Sequence, residues 1–133
     1  MKNLHLLTLI FFALFFSCGK DKNRPESLGG KWELRHILGV QIKDAPSDFE
    51  KGNGNVIEFS ANEYQRIENG TLVSKGTYAI VEESAEIDGT QYEHKIVFDD
   101  SDQKVFIKIS GNQLLICLGP IASDGTTITY EKI

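Results

Sequence analysis

The chain has 133 residues, a formal net charge of -5, 41% hydrophobic and 25% charged residues. That is enough for one domain with a sizeable apolar core. The mildly acidic balance argues against nucleic acid and anionic lipid surfaces as partners, because both attract basic patches.

Met1-Lys2-Asn3 is a short positive segment ahead of a 13-residue apolar run, Leu4 to Phe16, interrupted only by His5 and Thr8. As a helix that run would reach ~20 Å, short of a hydrocarbon core of roughly 30 Å. Its length and flanks read as a secretory signal peptide over residues 1–17. The run closes on Phe16-Ser17-Cys18-Gly19, a small residue directly before a cysteine, which resembles the lipobox of bacterial lipoproteins. The resemblance implies diacylation of Cys18, cleavage before it and N-acylation of the new terminus. It also implies a lipid-anchored place in the cell envelope, at the outer membrane. Two or three chains on Cys18 would anchor far more firmly than a single myristoyl group, at about 0.8 kcal/mol per buried methylene.

Residues 18–27 are polar and contain Pro25, which reads as a flexible tether. Acylation of Cys18 would leave Cys117 without a disulfide partner, so the domain over residues 28–133 must rest on its apolar core. Cys117 lies in Leu114-Leu115-Ile116-Cys117-Leu118, the setting of a small buried hydrophobe.

Lys31 to Leu38 alternates, with Trp32, Leu34, His36 and Leu38 on one face, and this period of two predicts a half-buried strand. Gly39 to Asn55 is long for a connection in a compact domain and reads as a functional loop or a small embedded element. Within it, Pro46 to Lys51 is a candidate helical turn, with Pro near the start and Gly52 past the end. Short strands follow over Val56–Ser60, Tyr64–Glu68, Thr71–Val81, Gln91–Phe98, Lys104–Ser110, Gln113–Leu118 and Thr126–Lys132. Asn69-Gly70 is the clearest hairpin turn, since both residues tolerate positive φ. Gly76 is a candidate bulge or bend, and Glu82 to Thr90 reads as an acidic loop containing Asp88-Gly89. Gln113–Leu118 is nearly all apolar, as for a strand covered on both faces. About eight strands joined by tight turns predict an all-β, antiparallel up-and-down meander, and a meander of that length closes into a barrel to remove its edges.

Gly30-Lys31-Trp32 at the first strand resembles the Gly-x-Trp opening of lipocalins. Ile57-Glu58-Phe59-Ser60 and Gly76-Thr77-Tyr78-Ala79-Ile80 are similar to stretches of the small lipocalin-like domains carried by bacterial lipoproteins. The likeness covers most of residues 28–133 and implies a compact barrel, an internal cavity and no enzymatic activity. Lipocalins set an arginine near the last barrel strand against the opening Trp. Thr126–Ile133 has no arginine, so either Lys132 substitutes or the lock is missing.

The candidate cavity or ligand-binding residues are Trp32, His36, Phe49, Phe59, Tyr78 and His94. Trp32 reads as a floor plug, since large aromatics dominate core burial. Phe49 reads as a lid aromatic on the Gly39–Asn55 loop. His36 and His94 fall on the apolar faces of their strands and would point into the interior. Two histidines without a third ligand at recognisable spacing do not make a metal site. Asp99-Asp100-Ser101-Asp102 is too short for a calcium loop. The chain has no nucleophile elbow, phosphate loop, zinc motif or cofactor fingerprint, and it does not read as an enzyme.

Two functions of different class follow. One is a small-molecule binder that takes an apolar ligand inside the barrel. The other is a protein-interaction, inhibitor or envelope-structural module with a filled barrel and no ligand. Small eight-stranded barrels do either. A void of several hundred Å³ separates the two.

Overall fold

The computed structural model describes Pro25 and residues 28–133. Residues 1–17, expected to be a signal peptide, Cys18 and nearly all of the expected tether lie outside the described residues. Eight antiparallel strands form a closed barrel in meander order: β1 (Gly30–Leu38), β2 (Val56–Ser60), β3 (Glu63–Glu68), β4 (Thr71–Ile87), β5 (Thr90–Phe98), β6 (Val105–Ser110), β7 (Gln113–Cys117) and β8 (Thr127–Lys132). Closure is made by β1 on β8, with Trp32 opposite Lys132 and Leu34 opposite Tyr130. Closing the sheet leaves no unpaired edge to template aggregation. The tight turns Asn69-Gly70 and Asp88-Gly89 both carry positive φ at their two central residues, the geometry that matches the twist of a two-residue hairpin.

The main core is drawn wholly from inward residues of Leu28–Tyr130, with Leu28, Trp32, Phe59, Ile96, Ile107 and Leu114 all but sealed from solvent. Trp32 Nε1 donates to the Leu28 carbonyl at 2.8 Å, so the segment leading into β1 is itself part of the plug. Phe59 meets Tyr78 edge-on at 5.0 Å and stacks on Phe98 at 6.4 Å. Every strand pairs within this segment and the described core is drawn from it, so residues 25–133 carry the whole barrel.

Three expectations from the sequence change. Residues 46–51 form no helical turn. Residues 46–50 run beside β1, Asp48 makes an isolated bridge to His36, and a turn begins only at Lys51. Main-chain bonds from Ile37 to Ser47 (2.8 Å) and from Phe49 to Arg35 (2.9 Å) draw this stretch along β1 instead of letting it coil. The acidic stretch from Glu82 is not a loop, since β4 runs on to Ile87 and pairs with β5 until the turn. Gly76 is not a bulge: it pairs in register with Tyr64, and the irregularities fall at Arg66/Ile67 and between Glu82 and Ala85.

A second apolar cluster sits outside the barrel. Phe106 and Cys117 alternate with the inward Ile107 and Ile116, yet both are buried, packed with Tyr92 and with Ala85, Ile87 and Leu115. The β4–β5 hairpin, irregular after Glu82, brings Tyr92 over this outer face. Its turn is held by the Asp88 carboxylate, which accepts from the Ile121 amide at 2.9 Å. Bulges bend a hairpin in this way, and here the bend explains a strand that is apolar on both faces.

Candidate functional site

The barrel is packed at one end and open at the other. Trp32, Phe59, Tyr78 and Ile96 fill the end where the chain enters β1. The loop end carries Gly39–Asn55, Asn69-Gly70 and the connections 99–104 and 118–126. Two adjoining cavities lie there. The larger, about 410 Å³, is lined by Leu34, Ile37, Phe49, Ile57, Ile67 and Ile128 among others. The smaller, about 240 Å³, is lined by Tyr64, Phe98, Val105, Ile116 and Leu118 among others. Ile57, Arg66, Ile128 and Tyr130 line both and form the waist between them.

The site owes its shape to a bulge in β1. Leu34 pairs with Tyr130, but the next pair is His36 with Thr129, which leaves Arg35 as an extra residue. One extra residue exchanges the faces of everything beyond it. Leu34 points inward, Arg35 and His36 both point outward, and Ile37, opposite Ile128, returns to the cavity. Leu38 is accordingly half exposed.

The six candidate residues are thus distributed unevenly. Phe49 lines the larger cavity, and its loop is fastened in place. Trp32, Phe59 and Tyr78 lie in the packed floor, where Tyr78 donates to the Ala61 carbonyl at 2.8 Å. His36 is outside the barrel, with Nδ1 at 2.8 Å from the Asp48 carboxylate. That contact holds the Asp48 carboxyl below its ordinary value. His94 pairs with Ile107 and borders a separate hollow of about 280 Å³ with Pro25, Glu93 and Lys108. The two histidines do not meet in one cavity. Among the described residues no three His, Cys, Asp or Glu side chains come together as a metal site, and no helix is long and apolar enough to cross a membrane.

The loop over the larger cavity is fastened by charge. The Glu33 carboxylate is buried on the outer face of β1, accepts from the Gly52 and Gly54 amides at 3.1 and 3.4 Å, and meets Arg35 at 2.7 Å. Burial pushes its pKa up, but the Gly52 amide, Arg35 and the Gly54 amide outweigh that and leave it lowered. Arg35 also reaches Glu131 at 3.2 Å, and Lys51 of the loop reaches the same carboxylate at 3.3 Å.

Polar groups at the waist were not among the candidates. Arg66 pairs with Ile57 and shares the inward face with Tyr64, although charge alone reads as an outward residue. The signal was present in the parity of Tyr64, Arg66 and Glu68 along one strand. Tyr130 is buried, and burial pushes its phenol up in pKa, with Arg66 partly offsetting this and Glu68 adding to it. On the other side of the waist, Tyr64 donates to the Asp99 carboxylate at 2.6 Å.

Fold and geometry together define an eight-stranded closed antiparallel barrel, plugged at one end and hollow at the other. No protein-family model matches the chain, and neither a curated protein nor a solved structure is significantly similar to it.

Proposed function

We propose that this protein is a lipid-anchored envelope lipoprotein whose lipocalin-like barrel binds a small apolar ligand at its loop end. The observation that carries the reading is the larger cavity, about 410 Å³ and walled by Leu34, Ile37, Phe49, Ile57 and Ile128. Ligand pockets commonly measure roughly 300–1,000 Å³ and are mostly apolar with a few placed polar groups. A filled barrel would leave no such space. Phe49 stands at the rim as part of the loop that a ligand would pass. Cys18 supplies the anchor in this reading, and the polar stretch after it is the tether that holds the barrel near the membrane.

Native mass spectrometry of the domain over residues 25–133, purified without harsh washing, tests the binding. A co-purifying small molecule is the expected result. A bare mass, together with no apolar compound raising the melting temperature, overturns it, and a co-purifying protein would favour the interaction module. The anchor is tested separately. Cys18→Ala in the full chain is expected to abolish acylation and release a folded, soluble domain from membranes. An unchanged membrane fraction would remove the lipobox reading.

A further inference from the structure

The two cavities meet at a polar waist in otherwise apolar walls. Arg66 and Tyr130 both line the larger and the smaller lobe. The Arg66 side chain faces the interior in register with Ile57, but its side chain is about half exposed, at 52%, because the space before it is empty of protein. Among the described residues its one ion-pair contact is Glu68 at 3.6 Å, well beyond the roughly 2.7–2.9 Å of a good charge-assisted hydrogen bond. Tyr130 is only 8% exposed, and its hydroxyl has no hydrogen-bond partner among the described residues. No polar side-chain atom in the barrel is both sealed and unpartnered, so that hydroxyl opens into the cavity. A guanidinium and a phenol therefore line the same open-ended space between the two lobes.

We infer that the waist is a headgroup site, and that the ligand is an elongated apolar molecule ending in a single carboxylate held by Arg66 and Tyr130. The inference rests on the apolar-binder reading and adds the ligand's charge and polarity. A guanidinium offers paired donors in a fork that matches a carboxylate, and the Tyr130 hydroxyl supplies a further donor to an oxygen. The apolar tail then lies in the larger lobe, against Leu34, Ile37, Phe49 and Ile128. Charge at the waist limits the headgroup. Arg66 is the cation lining it, and Glu68 stands beside it as a competing anion. Asp99, beyond Tyr64, is occupied by the Tyr64 hydroxyl at 2.6 Å and the Thr77 amide at 2.9 Å. One cation flanked by fixed carboxylates suits a monoanion and repels a dianionic phosphate. A cationic headgroup would meet Arg66 directly and is disfavoured.

The test is calorimetric titration of the domain over residues 25–133 with lauric acid, lauryl alcohol and dodecyltrimethylammonium, each below its aggregation limit at neutral pH. Lauric acid is expected to bind at least roughly tenfold more tightly than the alcohol, the order of effect of hydrogen bonds to a charged group, and the ammonium most weakly. Arg66→Gln is expected to weaken lauric acid by roughly tenfold and the alcohol several-fold less. Glu68→Gln is expected to act in the opposite direction, tightening the acid several-fold by removing the competing anion. Tyr130→Phe should weaken the acid more than the alcohol. Equal affinity for acid and alcohol, or an Arg66→Gln protein that keeps full affinity for the acid, overturns the headgroup site while leaving the apolar-binder reading intact. Binding of none of the three overturns both.

Discussion

The Lys132 ammonium lies over the indole of Trp32, 5.0 Å from the ring centroid. The pair is set by the last register of barrel closure, where β8 returns beside β1. A cation over a tryptophan face is worth about 0.5–1 kcal/mol at an exposed site. The lysine thus covers the outward end of the Trp that opens β1.

Lys132→Arg is therefore expected to keep stability within about 0.5 kcal/mol, while Lys132→Gln loses about 0.5–1 kcal/mol. Trp32→Ala, which removes the plug itself, is expected to cost about 3–5 kcal/mol. Urea unfolding followed by circular dichroism reads all three. Equal stability of the glutamine and arginine variants would mean that the ring contact contributes nothing.

How much of this was legible in the sequence depends on the range of the interaction. Trp32 at the floor, the hairpin at Asn69-Gly70 and the meander follow from period-two patterning and local turn chemistry. The exchange of faces at Arg35 does not. It arises from pairing β1 with β8, nearly a hundred residues away, and it turns His36 and Leu38 outward while bringing in Ile37. Glu82–Ile87 looked like a loop because its acidic side chains are exposed, yet the backbone remains paired. Arg66 is hidden from sequence patterning because a charged residue is ordinarily placed outside, whereas a hollow barrel has room for one within.

Glu33 makes acid pH a probe of the loop. Its carboxyl is lowered from the ordinary value of 4.5 because the amides of Gly52 and Gly54 and the Arg35 guanidinium outweigh its burial. Glu131 is lowered as well, by Arg35 and then Lys51. A carboxylate with a depressed folded pKa stabilises fully above the unfolded value and loses that contribution as pH falls through the folded one. Stability should hold down to about pH 4.5 and decline below it. Glu33→Gln is expected to lose about 1–3 kcal/mol at neutral pH, as for hydrogen bonds to a charged acceptor, and to flatten the acid limb. Urea midpoints from pH 7 to pH 3 check this. An acid limb equally steep in the variant would exclude Glu33 as its source.

Gly76 is required by close approach. A Cβ there would collide with the Asp99 carboxylate, which the Tyr64 hydroxyl and the Thr77 amide hold in place. Gly76→Ala is expected to destabilise by about 1–3 kcal/mol, as overpacking does. Asp99 has φ of 50°, a conformation that glycine adopts without strain. Asp99→Gly relieves the collision but forfeits the Tyr64 and Thr77 bonds, so the double mutant should be destabilised by less than the sum of the two singles. A double mutant whose loss is the plain sum of the two singles would show that the collision is not the cause.

The outer cluster yields the last prediction, because it makes one thiol report on the β4–β5 hairpin. Cys117 is fully buried between Tyr92 and Phe106, with Sγ 3.5 Å from the Gly119 carbonyl. The thiol should resist aromatic disulfide reagents in the native domain and react once the protein is unfolded. Tyr92→Ala opens the cover and is expected to cost about 3–5 kcal/mol while making Cys117 reactive under native conditions. Burial, and then the neighbouring Cys117, push the Tyr92 phenol from 10.0 up to about 12. A raised folded value means that its contribution to stability is full below pH 10.0 and is lost as pH rises towards 12. Tyrosinate absorbance should show a tyrosine titrating towards 12 that disappears in Tyr92→Phe, and thiol labelling should accelerate over the same interval. Labelling of the native thiol at neutral pH, at the rate of the unfolded chain, would show that the hairpin does not cover this face in solution.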